Sequence, residues 1–195
     1  NSMLFDHIIV STDDEEIKSV SENYGASVPF YRPSDLSDDY TSTAPVIAHA
    51  IKKINELLNI KVNYACCIYP CSPLINSNNL IDSFKILEST KENFVYPVTK
   101  FPHSIYRSMT KSMNGKMDYL FPDNELTRTQ DLEETFHDAG QFYWGKAEAW
   151  TQLKKIHTDG IGMEIPAYTT VDIDNKDDWK KAELLFQSIM LKNLK

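Results

Sequence analysis

Short apolar runs alternate with amphipathic helical segments along this chain, and that alternation constrains the fold more than any other feature. Residues 7–11, 64–69 and 94–98 form runs that predict strands. Residues 64–69 are apolar throughout, which is typical of a strand buried on both faces of a parallel sheet. Between the runs, residues 45–58 and 78–87 place apolar residues at helical spacing. Strands joined by helices predict an α/β fold with a doubly wound, mostly parallel sheet and right-handed crossovers.

The first helix is predicted by a capping box and by the apolar stripe that follows it. Thr12 and Glu15 are three positions apart, the spacing at which a hydroxyl and a carboxylate cap a helix reciprocally. Gly25 then ends the helix, because glycine accepts the left-handed backbone conformation found there. The apolar residues at helical spacing between these ends are Ile17, Val20 and Tyr24. A further strand is predicted at residues 27–30.

The regular alternation breaks between residues 100 and 141, where aromatic and polar residues mix. Asn114 and Gly115 predict a hairpin turn inside this section. Because the section has no low-complexity character, we interpret residues 101–142 as an insertion in a single domain that spans residues 1–195. The elements predicted after it are a helix at residues 143–153, strands at 161–165 and 168–171, and a helix at 177–190.

Composition argues against several classes of protein. The net charge of −8 over 195 residues is unlike that of a general nucleic-acid binder, which normally shows a basic face. No apolar run approaches the length that a membrane span needs, so we predict no membrane partner. The three cysteines lie close together and are odd in number, which favours reduced thiols and a cytoplasmic location over a disulfide framework.

Two aspartates late in the chain form the main candidate metal site. Asp172 and Asp174 follow residues that we interpret as a strand, and side-chain alternation puts both on one side while Ile173 packs on the other. Neighbouring carboxylates repel each other unless a cation lies between them, and Mg²⁺ prefers such oxygen ligands. Asn175 is the predicted cap of the helix that follows. The alternative is that one aspartate caps this helix and the other is only solvated.

Four segments recur together in one known family, and in this chain they are residues 9–17, 29–36, 69–74 and 171–174. With them the chain resembles the CMP-sugar synthetases that activate nonulosonic acids, the group that contains N-acylneuraminate cytidylyltransferase. The resemblance extends over essentially all 195 residues. Within the group, residues 128–143 and Tyr69 look closer to the pseudaminic acid cytidylyltransferases, since sialate enzymes usually carry glutamine at the position of Tyr69.

The resemblance implies a Rossmann-like nucleotide-diphospho-sugar transferase fold and the transfer of CMP from CTP to the anomeric hydroxyl of a nine-carbon α-keto acid sugar, pseudaminic acid. Pyrophosphate leaves in an in-line displacement, so catalysis consists mostly of positioning and of neutralising charge. By resemblance, Asp172 and Asp174 are the catalytic residues that hold Mg²⁺ against the phosphates. The open alternatives are transfer to N-acylneuraminate or legionaminate, a nucleotidyltransferase that uses UTP or GTP, and a non-catalytic remnant that acts as a binding or assembly module.

The same resemblance implies two sets of binding residues. On the nucleotide side it implies Arg32, Ser42 and Thr43, although Thr43 is equally well interpreted as a helix N-cap. Arg107 is a further candidate partner of the sugar carboxylate. Residues 101–142 resemble the arm through which these enzymes form homodimers, so a homodimer is predicted. The residues that the resemblance places near the sugar are Tyr69, Ser72, Lys100, Arg128, His137, Gln141 and Tyr143.

One feature of the resembled family has no counterpart in this sequence. The family begins with a strand that leads into a glycine-rich loop carrying arginine and lysine, and the backbone N–H groups of that loop hold the triphosphate. This chain has six glycines, and none precedes Gly25. In the family the strand lies beside the segments that correspond to residues 8–11 and 65–69. We therefore expect a truncated chain that alone is inactive or poorly folded.

Overall fold

The computed structural model describes residues 2–192, and the elements below are those of this range. The helices are α1 (Glu15–Asn23), α2 (Thr43–Leu58), α3 (Ser77–Ser89), α4 (Ala147–Thr151) and α5 (Lys176–Lys192). The strands are β1 (Tyr64–Ile68), β2 (Phe94–Lys100), β3 (Met109–Lys111), β4 (Met117–Tyr119), β5 (Phe136–Asp138), β6 (Phe142–Lys146) and β7 (Gly160–Glu164). No helix among the described residues is both long and apolar enough to cross a membrane.

The central strand of the main sheet is β2, which has neighbours on both edges. One edge pairs in parallel with β7, from Phe94 opposite Gly160 to Val98 opposite Glu164. The other edge pairs antiparallel with β6 and then with β5. Beyond β6 lies β1, also antiparallel to it, so β1, β2 and β7 share one direction. The predicted α/β class is confirmed, but the sheet is mixed, because the antiparallel strand β6 lies between β1 and β2.

Strand β6 occupies the first part of residues 143–153, where the sequence predicts a helix, so that prediction is wrong there. Residues Phe142–Lys146 are strand β6, and only Ala147–Thr151 form a helix. The first four residues of β6 are buried, because both faces of the strand are covered. Phe142 and Trp144 pack in the cluster on one face of the sheet, and Tyr143 packs in the cluster on the other. A strand that is buried on both faces has no alternating pattern, and a short apolar run of this kind is easily confused with a buried helix.

A bulge separates β5 from β6 along the same edge of β2. Trp144 lies opposite Val95 and Asp138 lies opposite Val98, so the longer segment carries three extra residues, Ala139–Gln141. Gly140 has a positive φ of 63° there, which glycine adopts without steric cost. The backbone N–H of Ala139 still donates to the carbonyl oxygen of Pro97, at 3.0 Å. The bulge therefore changes the register without detaching the segment from the sheet.

Helices cover both faces of this sheet. On one face, α2 and α4 pack over β2 and β6 in a cluster that includes Ile51, Phe94 and Trp150. On the other face, Leu80 and Leu87 of α3 pack on residues such as Trp144. β1 is less buried than predicted, with Cys67 its one fully buried side chain, because β6 is its only strand partner among residues 2–192. Two layers of helix thus position the carboxyl ends of β1, β2 and β7.

The segment before α2 forms less sheet than predicted. Residues 7–11 and 27–30, predicted as strands, contribute one parallel bridge between Ile9 and Ser27. The cap of α1 is Asp14, whose Oδ1 accepts from the N–H of Ile17 at 2.8 Å, and not Thr12 as predicted. Thr12 lies outside the helix, where its hydroxyl oxygen accepts from the N–H of Asp14. Gly25 follows the helix with φ 89°, as predicted.

The hairpin predicted around Asn114 and Gly115 is confirmed. Strands β3 and β4 pair antiparallel from Met109 opposite Tyr119 to Lys111 opposite Met117, and Gly115 takes φ 86° in the turn. The hairpin forms a two-stranded sheet of its own and does not pair with the main sheet. Large apolar side chains are exposed along it and just beyond it, namely Met109, Met113, Met117, Leu120 and Leu126.

Candidate functional site

Five of the predicted site residues meet where β1 ends and the bulge begins. The N–H of Tyr69 donates to the carbonyl oxygen of Gln141 at 2.9 Å, which extends the β1–β6 pairing by one residue. The hydroxyl of Ser72 is buried and lies 3.4 Å from that same oxygen. Pro70 and Pro73 end the strand here, because proline has no N–H to continue the ladder. The turn after β1 and the bulge before β6 are thus one packed unit.

The amino terminus of α2 joins this unit through a hydroxyl pair. The Thr43 Oγ1 and the Tyr69 hydroxyl oxygen are 2.6 Å apart. Thr43 is the first helical residue, and the N-cap position belongs to Ser42, whose exposed side chain makes no capping hydrogen bond. The interpretation of Thr43 as the N-cap is therefore wrong. Its hydroxyl is committed to Tyr69 across the boundary between helix and sheet.

Gln141 connects the bulge to the segment that carries the aspartate pair. Its side chain is 2% exposed, and Nε2 donates to the carbonyl oxygen of Thr169 at 2.6 Å. Within residues 2–192, no donor reaches its buried Oε1. Thr169 lies three residues before Asp172, so the amide of Gln141 fixes the approach of the chain to the aspartates.

The aspartates lie in irregular chain and not directly after a strand. The predicted strand at residues 168–171 is a single 3₁₀ turn at Ala167–Thr169 followed by irregular chain. Ile173 packs with Leu74 and α5, while Asp172 and Asp174 are both exposed. This agrees with the prediction that Ile173 lies on the packed side and the two aspartates on the other. Asn175 caps α5 as predicted: its Oδ1 accepts from the N–H groups of Asp177 and Asp178.

The aspartate pair suits a hard cation that takes other ligands from a substrate. Neither the Asp172 nor the Asp174 carboxylate has a hydrogen-bond or ion-pair partner among the described residues. Nor does any group of three or more His, Cys, Asp and Glu side chains in that range form a complete metal site. Mg²⁺ is commonly held by one or two carboxylates with phosphate oxygens and water. The donor set therefore fits a cation shared with a phosphate ligand.

A hydrogen-bonded group centred on Asp138 lies beside Tyr143. Asp138 Oδ2 accepts from the Tyr143 hydroxyl at 2.7 Å and from His157 Nε2 at 2.6 Å, while Oδ1 accepts from the N–H of Gly140 at 2.8 Å. Burial, with the adjacent Asp138 carboxylate, raises the pKa of Tyr143 well above its ordinary value, so the hydroxyl stays a donor. The Tyr143 ring is also 5.2 Å from that of Tyr69.

The bulge makes this contact possible. Asp138 and Tyr143 are five positions apart, and in a regular strand an odd separation puts two side chains on opposite faces. Three extra residues in the bulge reverse that relation, so both side chains lie on the face covered by α2. Sequence reasoning missed Asp138 and His157 as site residues. No spacing rule could have found Asp138, because the length of the bulge is not visible in the sequence.

The predicted cationic residues do not join this unit. Lys100 pairs with Glu134, and Arg128 pairs with Asp131 through two hydrogen bonds of 2.7 and 3.2 Å. Arg107 donates to the backbone carbonyl oxygens of Glu125 and Thr127, so it braces the inserted section. Arg32 lies with Asp13 and Ser37 before α2. These four residues have local partners in the structure.

His137 differs from those cations because it lines a cavity. The cavity has a volume of about 410 Å³ and lies at the carboxyl ends of β2 and β7, next to Asp138 and His157. His137 Nδ1 is 2.8 Å from the backbone carbonyl oxygen of Asp138, and its ring is 4.8 Å from that of Phe101. The carboxyl ends of strands are where open α/β sheets bind ligands.

Comparison with known proteins gives a consistent family. The family model described as cytidylyltransferase matches residues 1–178. The chain is 35% identical to a pseudaminic acid cytidylyltransferase of Campylobacter jejuni over 96% of this chain and 81% of that protein. It is 28% identical to a CMP-N,N'-diacetyllegionaminic acid synthase of the same species, over 100% of this chain and 81% of that protein.

A solved structure supports the fold. The structure of CMP:2-keto-3-deoxy-manno-octonic acid synthetase complexed with CTP aligns with a TM-score of 0.63. The alignment covers 96% of this chain and 84% of that one, at 10% sequence identity. At that identity the likeness bears on the fold alone, and it agrees with the nucleotide-diphospho-sugar transferase architecture that the sequence predicts.

Proposed function

This chain belongs to the cytidylyltransferase family, and from that premise we propose that it transfers CMP from CTP to the anomeric hydroxyl of pseudaminic acid, releasing pyrophosphate. The observation that carries the proposal is the identity with a pseudaminic acid cytidylyltransferase, which extends over nearly the whole chain. The weaker identity with a legionaminic acid synthase supports legionaminate as the second candidate sugar. N-acylneuraminate is the remaining candidate.

The proposed reaction is mainly one of positioning. The packed unit of Tyr69, Ser72 and Gln141 forms a rigid wall for the sugar at the end of β1, and Tyr143 continues it. On the nucleotide side, we propose Arg32, Ser42 and Thr43 as contacts, with Ser42 offering a hydroxyl that is not used in capping at the start of α2. A wall held by hydrogen bonds keeps the attacking oxygen in line without reorganisation during the reaction.

We propose that Asp172 and Asp174 hold a divalent metal ion and that this ion is Mg²⁺. When bound, the cation supplies charge neutralisation at the phosphates. The two carboxylates contribute negative oxygens with no competing partner among the described residues, and Ile173 anchors the segment that presents them. Their role is to bind and orient, because the attacking group is a substrate hydroxyl.

The remaining predicted contacts require release from present partners. Lys100 and Arg128 are proposed to bind the sugar carboxylate, and each now pairs with an exposed carboxylate, Glu134 or Asp131. Exposed ion pairs of this kind contribute only about 0–1 kcal/mol, so a substrate anion can replace the partner at small cost. His137 lines the neighbouring cavity and needs no such exchange.

We further propose that the arm at residues 101–142 joins two copies of this chain. The support is the exposed apolar set along the hairpin, which includes Met113 at its tip. Several large apolar side chains exposed within one short segment are typical of protein interfaces. The three cysteines are free thiols, which accords with a cytoplasmic location for the assembly. Sedimentation of the wild type and of Met113→Lys tests the dimer. A wild type with the mass of a monomer contradicts it, and a dimeric mass in both proteins contradicts the hairpin as its interface.

The function is tested by pyrophosphate release from CTP with pseudaminic acid, legionaminic acid and N-acetylneuraminic acid as separate acceptors. We expect the largest kcat/KM with pseudaminic acid, and no release when UTP or GTP replaces CTP. A preference for another sugar would reassign the substrate within the family. Calorimetry with CTP and with each sugar adds a control, because sugar binding without affinity for CTP would favour the non-catalytic alternative.

The aspartate pair is tested with Asp172→Asn and Asp174→Asn, which keep the side-chain shape and remove the charge. Each should lower kcat/KM at least about 100-fold, since charge neutralisation at the phosphates is worth several kcal/mol. Asp177→Asn is the matched control, because Asp177 is three residues further on and already pairs with Lys180. Equal rates in all three variants would exclude the carboxylates from the reaction.

A further inference from the structure

The segment between Arg32 and helix α2 lies outside the sheet, so side chains and local turns decide its path. Its regular structure is a 3₁₀ turn at Ser34–Leu36, and no strand among the described residues pairs with it. The proposed nucleotide contacts lie at its two ends, Arg32 at one and Ser42 with Thr43 at the other. Whatever fixes the path of this segment therefore fixes the spacing of those contacts.

Ser37 holds the guanidinium group of Arg32. The Arg32 Nε–H donates to Ser37 Oγ at 3.0 Å, and the Ser37 hydroxyl donates to the carbonyl oxygen of Pro33, also at 3.0 Å. Because the one proton of the hydroxyl goes to Pro33, its lone pairs are left for the arginine. Asp13 Oδ1 lies 3.5 Å from Arg32 Nη2 on the other side. The remaining N–H donors of Arg32 have no partner among residues 2–192 and can contact a ligand.

The next residue, Asp38, closes the turn that leads into α2. Its Oδ1 accepts from the Thr41 hydroxyl at 2.8 Å and from the backbone N–H groups of Tyr40 and Thr41 at 2.9 and 2.6 Å. The hydrogen bond from the Thr41 hydroxyl, followed by the two from the backbone, lowers the pKa of Asp38 below its ordinary value. Thr41 directly precedes Ser42, the N-cap residue of α2. Asp38 therefore fixes the start of the helix relative to Ser37.

We propose that Ser37 and Asp38 are positioning residues of the nucleotide site: Ser37 orients Arg32, and Asp38 places Ser42. This inference rests on the proposed function, because it takes Arg32 and Ser42 as contacts of CTP. The guanidinium group offers only donors, which suit the acceptor oxygens of a nucleotide. The Ser42 hydroxyl is not used in capping. A nucleotide between them meets groups that are already oriented, so binding costs less conformational freedom.

The same segment supplies two matched controls. Ser34 and Asp39 are exposed, and neither side chain has a hydrogen-bond or ion-pair partner among residues 2–192. The segment thus contains a serine and an aspartate that hold the proposed contacts, and a serine and an aspartate that do not. A loss of charge or of a hydroxyl in this part of the chain can therefore be separated from a loss of positioning.

Calorimetric titration with CTP tests the inference on the full chain. Ser37→Ala and Asp38→Ala should each weaken CTP binding about 5- to 10-fold, the worth of about one hydrogen bond. In turnover assays the KM for CTP should rise by a similar factor while kcat changes less than about twofold, because neither residue takes part in the chemical step. Ser37→Thr and Asp38→Asn keep an acceptor oxygen and should lose less. Ser34→Ala and Asp39→Ala should bind CTP as the wild type does.

The orientation of Arg32 has a readout that does not depend on the nucleotide. In ¹H–¹⁵N spectra, the Nε–H of Arg32 should exchange slowly with water in the wild type and quickly in Ser37→Ala. The two residues should also act as one unit in binding. The double variant of Arg32→Ala and Ser37→Ala should bind CTP as weakly as Arg32→Ala alone, since Ser37 acts only through the arginine.

The outcomes separate this inference from the proposed transfer reaction. If CTP binds and the affinity falls in Ser37→Ala and Asp38→Ala, but no CMP is transferred, the transfer proposal fails and the positioning roles stand. Ser37→Ala with unchanged affinity, or additive losses in the double variant, overturns the role of Ser37 even if turnover is normal. An Asp38→Ala variant that binds as well as Asp39→Ala overturns the role of Asp38. A wild type without affinity for CTP overturns both proposals.

Discussion

Helices α1 and α2 are both amphipathic, yet only α2 buries its apolar face. In α2, Ile51 and Ile54 are buried, and Ile51 packs with Phe94 of the sheet and Trp150 of α4. In α1 no residue is buried, and Ile17 and Val20 on its apolar face are 52% and 49% exposed. The apolar spacing correctly predicts that α1 is a helix, but it does not tell which element, if any, packs against its apolar face. Periodicity therefore identifies the face that a helix can bury, while the neighbouring elements decide whether it does.

The largest difference in the free energy of unfolding should appear between alanine variants of two tryptophans, one buried and one exposed. Trp150 is fully buried in the cluster under α2, where its Nε1 donates to the carbonyl oxygen of Ala65, whereas Trp179 on α5 is 59% exposed. Trp150→Ala should lower the free energy of unfolding by about 3–5 kcal/mol, because the removed ring leaves a cavity. Trp179→Ala should cost less than about 1 kcal/mol. Urea denaturation followed by circular dichroism measures both, and similar losses would break the comparison.

Replacing one isoleucine by alanine in each helix tests directly how much each apolar face contributes to stability. Ile51→Ala in α2 should destabilise by about 2–4 kcal/mol, since its side chain is buried in the core. Ile17→Ala in α1 should stay within about 0.5 kcal/mol, because the side chain is already half in water. Equal effects in denaturant titrations would mean that the apolar face of α1 is covered in solution.

Two glycines sharpen the comparison from the backbone side. A Cβ on Gly145 would lie 2.6 Å from Phe94 Cδ1 and would also collide with Trp150 Nε1, so Gly145→Ala should cost about 1–3 kcal/mol by overpacking. Gly25 follows α1 with φ 89°, and a Cβ added there would have no neighbouring atom within 4 Å. Gly25→Ala should therefore cost about 1 kcal/mol from backbone strain alone. Thermal unfolding of both variants checks the order, and a larger loss at Gly25 would contradict it.

The smallest effect concerns thiols. Burial raises the pKa of Cys67 from 9.0 to about 12, so the folded state favours the neutral thiol. Its stabilising contribution is complete below pH 9 and is lost as the pH rises from about 9 to about 12. Cys67→Ala should remove that part of the alkaline loss, whereas Cys71→Ala, at an exposed thiol, should leave it.

Thiol titration gives a second reading of the same difference. A thiol reagent at pH 8 should label Cys71 rapidly in the folded protein and the other two cysteines only after unfolding. Rapid labelling of all three would show that β1 opens easily along its length.

Much of the fold could be predicted because its local signals agree with its packing. The strands β1, β2 and β7, the helices α2, α3 and α5, and the hairpin turn at Gly115 all lie close to the predicted places. The errors fall where a neighbour decides the outcome. The sequence predicts a helix where β6 forms, because both faces of this strand are buried and its residues do not alternate. Residues 7–11 form a single bridge because they have one short partner.

The site was predictable in part for a related reason. Tyr69, Ser72, Gln141 and Tyr143 were inferred from a family resemblance, and the structure brings them together at one strand end. Asp138 and His157 were missed, because the first depends on the bulge and the second on a loop that the sequence does not mark. Lys100 and Arg128 show the opposite limit: residue type indicates a possible anion contact, while local partners determine where the charge is held.

The bulge at Ala139–Gln141 makes chain length a part of the site. If one residue were deleted or added there, Asp138 would turn to the far side of the sheet while every side chain kept its identity. Alignments that score letters alone would record such a change as a harmless gap. Anyone exchanging the inserted arm between homologues should therefore conserve the number of positions separating Asp138 from Tyr143 before conserving any of the residues between them.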